Sequence, residues 1–201
     1  ILYRTRAQSR LFDIELRKKE IPRKVIGLSF YDRKEIKDIH AYSKVLVNHD
    51  DDGSLLRIIN VPKRGIGLTT IKKLREGAED LNISLFDFIR DENCLKSILG
   101  KSHKGIDEFV EIMNELSFYL SKSPSIVIQL IIEKSGYWGD LNTGDPHEDI
   151  EKKNILNELI NAAIQFEEEN PNATLEDYLS SMALATDAQT KENKDKTNVV
   201  T

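Results

Sequence analysis

One stretch limits this chain more than any other: Val61-Pro62-Lys63-Arg64-Gly65-Ile66-Gly67-Leu68-Thr69-Thr70-Ile71-Lys72-Lys73-Leu74. Pro62 interrupts whatever precedes it, because its ring fixes φ and it has no N–H to donate. Gly65 and Gly67 permit a left-handed turn or a close backbone approach. A helix then opens at Leu68 or Thr69, with Ile71, Leu74 and Ala78 recurring on one face. Two glycines before a helix start leave backbone N–H groups unpaired, and the helix dipole adds partial positive charge there. Such a turn suits an anion, a phosphate above all. Lys63, Arg64, Lys72 and Lys73 flank it with full charges. At this level two readings stay open: a grip on a nucleic-acid backbone, or a plain helix start with solvated lysines.

Helical periodicity recurs along most of the remaining chain. Ile36, Ile39, Tyr42, Val45 and Leu46 form one apolar stripe, behind Asp32 as N-cap with Glu35 three residues on. Further helices are expected over 54–59, from Ser84 through Ile89, over 104–120, over 148–168 and from Thr174 to about Ala185. A helix is also expected over 125–134, whose Ile and Val content would suit a strand too. Ile1-Leu2-Tyr3, a helix over 7–19 and Lys24 to Ile26 read as a β-α-β beginning, a piece of a parallel sheet. Residues 186–197 are polar without periodicity and read as mobile. Both ends read as cut from something larger.

The net charge of −5 conceals an asymmetry. Residues 1–75 carry 18 Lys and Arg against 9 Asp and Glu, whereas residues 76–201 carry 11 against 25. A polyanion would therefore meet the N-terminal third. Cys94 is the only cysteine, which excludes an internal disulfide and favours a reducing, cytoplasmic setting. No apolar run approaches the roughly 18 residues of a membrane helix.

Several motifs fail on spacing. Gly100-Lys101-Ser102 ends like a P-loop, but that loop needs a glycine where Leu95 stands. Gly100 and Lys101 read better as a second, looser glycine turn before a helix, offering another hold on a duplex backbone, or as an ordinary helix start. Asn48-His49-Asp50-Asp51-Asp52-Gly53 begins like a calcium loop, but the bidentate acid would fall at Ile59. His40, His49, His103, His147 and Cys94 show no metal-ligand spacing. Trp138 reads as packed at a helix end, with base stacking as the alternative.

Taken together, several blocks resemble UvrD/PcrA/Rep-type superfamily 1 DNA helicases. Ile1 to Arg10 is similar to motif IV of that family, and Phe30-Tyr31-Asp32-Arg33-Lys34-Glu35-Ile36-Lys37-Asp38 to its next block. Asn48 to Gly53 lies where the family has an Asn-Pro-Asp-Asp-Asp turn, here with His49 for Pro, and Leu56 to Gly67 resembles its GIG block. Lys134-Ser135-Gly136-Tyr137 also looks like the family. The ordered blocks cover about the first 75 residues.

The resemblance implies an ATP-driven 3′-to-5′ translocase with domains 1A, 1B, 2A and 2B, of which this chain is the C-terminal part. The implied fold is mainly α: a helical 2B-type domain with helix-hairpin-helix-like turns over 29–190, preceded by a small α/β remnant of a RecA-like 2A domain over 1–28 and followed by a linker back to 2A over 191–201. Catalytic residues, Walker A and Walker B are expected outside the fragment, which would bind no cofactor or metal; ATP and Mg2+ would serve the parent. The implied partners are DNA at a single-strand/duplex junction, the remaining helicase domains and repair proteins, with no membrane. Tyr3, Arg4 and Arg6 would touch the single strand. Lys63, Arg64, Gly65, Ile66, Gly67, Thr69, Thr70 and Lys72 would hold duplex phosphates, with Gly100 and Lys101 as the second hold. The alternatives are a protein-interaction and autoinhibitory module, whose acidic face would include Glu167, Glu168 and Glu169, and the helicase part of a RecB-like nuclease.

Overall fold

The computed structural model describes residues 30–100, 103–141 and 144–192, with positions 12, 15, 16 and 19 before them, and side chains as far as Leu184. Among the described residues every regular element is helical and there is no strand. The expected 2A remnant and the segment 193–201 lie outside the described residues, apart from those four positions. Of the helix expected over 7–19, positions 12, 15 and 16 are described and are helical.

The fold is assembled around helix α1 (Lys34–Val47). Its stripe of Ile36, Ile39, Tyr42, Val45 and Leu46 is almost wholly buried, as the periodicity predicts. Each such side chain contributes about 1.5–3 kcal/mol by leaving water. The helix packs against α2 (Asp52–Ile58), α6 (Lys104–Ser117), α7 (Pro124–Lys134), α9 (Pro146–Glu169) and α10 (Leu175–Glu192). Its start differs from the expected capping box. Residues Phe30–Asp32 form a 3-10 turn, Arg33 occupies the cap position without a side-chain bond, and Asp32 pairs with Lys37 at 2.9 Å. A lysine one turn into the helix takes the carboxylate that a backbone amide would otherwise hold.

The calcium-like run is a set of caps. Asn48 Oδ1 accepts from the Asp50 amide at 3.0 Å. Asp51 caps α2, accepting from the Ser54 amide at 2.9 Å and from its hydroxyl at 2.6 Å. Burial opposes the Asp51 charge, but these two bonds, with Lys44 nearby, hold its carboxyl below its ordinary pKa. Asp52 accepts from the Leu85 amide at 2.8 Å and so anchors the start of α4 (Leu85–Arg90). His49 stacks on Phe86 of that helix, with ring centroids 4.4 Å apart. The run thus joins α1, α2 and α4.

Helix α3 (Leu68–Leu81) follows the glycine stretch and packs against α4 and against α5 (Glu92–Leu99). Gly77 makes that packing possible, since a Cβ there would stand 2.6 Å from Phe88 Cζ. Helix α5 is not among the helices expected from the sequence, although Leu95, Ile98 and Leu99 stand at helical spacing; Asp91 caps it through the amides of Asn93 and Cys94.

Residues 124–134 are helical, as expected, and the competing strand does not form. Pro124 starts α7 in its first turn, and Glu167 of α9 accepts from both the amide and the hydroxyl of Ser125, at 2.5 and 3.0 Å. The Ile and Val content reflects neighbours on several sides: α1, α6, α9 and α10 all pack on α7. A short helix α8 (Tyr137–Asp140) follows, and Trp138 is half-buried against the core, at a helix end as expected. At α10 the capping box forms as expected: Thr174 donates to Asp177 from its amide at 2.8 Å, and the Asp177 amide returns a bond to the Thr174 hydroxyl at 3.2 Å. The helix runs to Glu192, beyond the expected end near Ala185. Neither Gly nor Pro occurs between Leu175 and Glu192, so intrinsic propensity carries the helix after the apolar pattern fades.

Candidate nucleic-acid interface

The glycine stretch is a shaped turn, and its shape is imposed from below. The Val61–Pro62 peptide is cis and Gly65 lies at φ +71°, in the left-handed region that favours glycine. Asn60 spans the turn from inside: its Oδ1 accepts from the Arg64 amide at 2.8 Å and from the Ile66 amide at 3.3 Å. Tyr42 Oη, from α1, donates to the Val61 carbonyl at 2.6 Å. Burial raises the Tyr42 hydroxyl to a pKa of about 12, against the opposing influence of Arg64, so it stays a donor at neutral pH. The first turn of α6 closes from the side, with Gly105 directly against the Arg64 carbonyl.

Gly67 caps α3 with extended backbone and no side-chain bond. The first amide used within the helix is that of Ile71, which donates to the Gly67 carbonyl at 3.0 Å. The amides of Leu68, Thr69 and Thr70 precede it and have no acceptor within the helix. Lys63, Gly65, Gly67, Leu68 and Thr69 are exposed and Thr70 is half-buried. The turn therefore presents an uncapped, positively polarised helix end amid glycine backbone, hydroxyls and one lysine.

Two of the expected contact side chains point elsewhere. Ile66 is 1 % exposed, so its side chain belongs to the core and only its backbone borders the turn. Arg64 is turned inward. Its Nη1 donates to the Pro62 carbonyl at 3.2 Å and, longer, to Ile58 at 3.4 Å. Its Nη2 donates to Tyr42 Oη at 2.9 Å and to the Ser135 carbonyl at 3.1 Å. The guanidinium also lies 5.4 Å from the centroid of the Phe109 ring. Carbonyls and a ring face recruit it because an arginine fork satisfies several acceptors at once. Lys72 is exposed but shares its charge with Glu76, 3.7 Å away on the next turn.

The second glycine turn differs from its expected form. Gly100, at φ +70°, ends α5, and its amide donates to the Lys96 carbonyl at 2.8 Å. That amide is occupied, so it does not extend a phosphate cradle. Helix α6 opens instead at His103, which provides no side-chain cap. Lys101, Tyr3, Arg4 and Arg6 lie outside the described residues.

Ser135 and Tyr137, noted only as part of a familiar block, turn out to brace the interior. Tyr137 Oη donates to Asp38 Oδ2 at 2.8 Å, and Asp38 Oδ1 accepts from Arg57 Nε at 2.7 Å. Asp38 is 1 % exposed. Burial first, then the Asp38 charge and bond, push the Tyr137 hydroxyl far above its ordinary pKa. Asn60 was marked only as part of the GIG-like block and Tyr42 only as part of an apolar stripe; an Asn just before a Pro-and-Gly turn was the available signal for the brace.

A separate cavity of about 370 Å³ opens between α1, α2 and α10, with Lys37, His40, Lys44 and Arg57 among its walls. Lys37 and Arg57 already face Asp32 and Asp38, which removes most of its positive character. Among the described residues no group of three or more His, Cys, Asp or Glu side chains could hold a metal ion, and no helix is long and apolar enough to cross a membrane.

A model of the UvrD-like helicase C-terminal domain matches residues 1–201. The chain is 33 % identical over 208 residues to the ATP-dependent DNA helicase PcrA of Staphylococcus epidermidis, covering 100 % of this chain and 28 % of that protein. The protein of that name from Bacillus subtilis is 33 % identical over 200 residues, covering 98 % of this chain and 27 % of its own length. That from Staphylococcus aureus is 30 % identical over 208 residues, with 100 % and 28 % covered. The chain thus spans little more than a quarter of these relatives.

Proposed function

The chain belongs to the UvrD-like helicase C-terminal domain family, and on that premise we propose that it is the DNA-gripping and regulatory part of an ATP-dependent 3′-to-5′ DNA helicase. Residues 29–190 serve as its 2B domain, with 1–28 and 191–201 joining it to 2A. The 62–70 turn holds the backbone of the duplex ahead of the junction. The observation that carries this reading is the exposed, uncapped start of α3 at Gly67, backed by a turn that Asn60 and Tyr42 hold from inside. Backbone amides, threonine hydroxyls and Lys63 at such a place hold phosphates and read no sequence. Tyr3, Arg4 and Arg6 are proposed to meet the single strand, and Lys101 to add a peripheral charge.

ATP and Mg2+ belong, in this reading, to the parts of the parent outside this chain. The Gly100 amide, spent on the end of α5, supports that division, since a phosphate loop would need it free. The parent works in the cytoplasm with domains 1A, 1B and 2A and with repair proteins. Glu167 is engaged in capping α7, so the acidic-face alternative loses one of its three residues.

The test is duplex binding by the full-length protein at low salt, wild type beside Gly67→Asp. A carboxylate at the helix start repels phosphate and offers the free amides an internal cap. Binding should fall at least tenfold in the variant. Equal binding by the two proteins would remove the grip from this turn.

A further inference from the structure

Arg64 looks like a DNA contact in the sequence, yet the accounting of its donors leaves none for DNA. A guanidinium has five N–H groups. Four are accounted for by the carbonyls of Ile58, Pro62 and Ser135 and by Tyr42 Oη. The fifth, on Nε, is buried and has no acceptor. Phe109 covers one face of the group. A phosphate would have to break these bonds to reach it.

We infer that Arg64, with Tyr42 behind it, is a positioning residue for the duplex grip: it sets the shape of the 62–67 turn from inside the protein and makes no contact with DNA. The inference rests on the grip proposed above. Its second support is the convergence of bonds on the turn's own backbone. Val61 O is held by Tyr42, Pro62 O by Arg64, and the amides of Arg64 and Ile66 by Asn60. The Arg64 carbonyl is pressed by Gly105. Held at these points, the turn has its binding shape before DNA arrives, so association does not bear the cost of ordering it. A lysine at 64 would keep the charge but could not serve separate acceptors in a planar fork.

The two roles differ in salt dependence. A residue that neutralises a phosphate releases counterions, and its loss lowers the slope of log K against log salt by about 0.9. A positioning residue lowers affinity and leaves that slope alone. The experiment measures binding of the full-length protein to a blunt duplex and to oligo(dT), each over a salt series. Arg64→Gln, which removes the charge, and Tyr42→Phe are compared with wild type, with Lys63→Ala as the contact control and Gly67→Asp as the test of the grip itself. Tyr42 is fully buried and cannot touch DNA, and phenylalanine keeps its ring, so the duplex affinity of this variant carries the test if Arg64→Gln folds poorly.

Both variants should bind duplex about tenfold more weakly, the effect of one or two lost bonds to a charged group. Their salt slope and oligo(dT) binding should match wild type. Duplex binding equal to wild type, a slope reduced by about one charge, or a parallel loss of oligo(dT) binding would each overturn the inference. If Gly67→Asp is weak while Tyr42→Phe binds normally, only the positioning role falls. If Gly67→Asp also binds normally, the grip falls with it.

Discussion

The carbonyl of Arg64 leaves no room for a Cβ on Gly105: an ideal one would run into its oxygen. The two stand 41 positions apart in sequence, yet the start of α6 and the glycine turn are in backbone contact. Gly105→Ala should therefore cost about 1–3 kcal/mol of stability by overpacking and weaken duplex binding as well. Gly139→Ala is the control, since nothing lies within 4 Å of a Cβ there and the added methyl should be neutral or slightly stabilising. Denaturant unfolding of both variants checks the pair.

Asn60 separates fold from charge. Asn60→Ala removes one acceptor from two amides, and stability should fall by about 1–3 kcal/mol. Asn60→Asp keeps that acceptor, so unfolding should change far less. The added negative charge beneath the proposed phosphate grip should still weaken duplex binding, most at low salt. Unfolding and duplex titration of both variants will distinguish the two effects.

The interior brace at Asp38 predicts an unequal pair. Tyr137→Phe loses one bond to a carboxylate, about 1–2 kcal/mol. Asp38→Ala leaves Arg57 and the Tyr137 hydroxyl without their acceptor and should cost about 3 kcal/mol. Arg57 is 38 % exposed at its side chain, so water limits the larger figure. A Tyr137→Phe variant as unstable as Asp38→Ala would contradict this division.

His40 gives a pH dependence of definite sign. Burial, with the Lys44 charge beside it, lowers its pKa from 6.5 to about 4. The unfolded chain takes up this proton near pH 6.5 and the folded chain only near 4. The contribution is therefore complete above about pH 6.5 and is lost as pH falls from 6.5 to 4. At most it amounts to about 3 kcal/mol. The buried Nε2 has no partner, so His40→Leu strands nothing. Between pH 7.5 and 4.5 the variant should lose less stability than wild type; identical losses would refute the assignment.

The periodic helices were legible because burial and helical spacing coincide in them. Ile36, Ile39 and Tyr42 announce one side of α1, and that side is the core. Helix α5 was not, although Leu95, Ile98 and Leu99 stand at helical spacing, because it is only eight residues long and its cap at Asp91 also ends α4. The glycine turn was legible as a place but not in its parts. Sequence proximity put Arg64 among the outward charges, whereas its acceptors include Tyr42 and Ser135, which no local pattern associates with it. Charge composition cannot distinguish a cation facing solvent from one held among carbonyls. The same holds for Glu167, acidic in composition and a helix cap in place.

The bond from Arg64 to Ser135 reaches across 71 positions. A synthetic peptide copying residues 58–81 would carry every glycine, lysine and threonine of the turn, with Asn60 and Arg64, and still lack Tyr42, Gly105 and Ser135, which hold it from outside. Grafting the motif onto another helical protein would fail for the same reason. The smallest transplantable unit runs from Tyr42 to Ser135, so recombination that divides this span should separate the motif from its shape, and with it from the proposed grip, even where the motif's own letters survive.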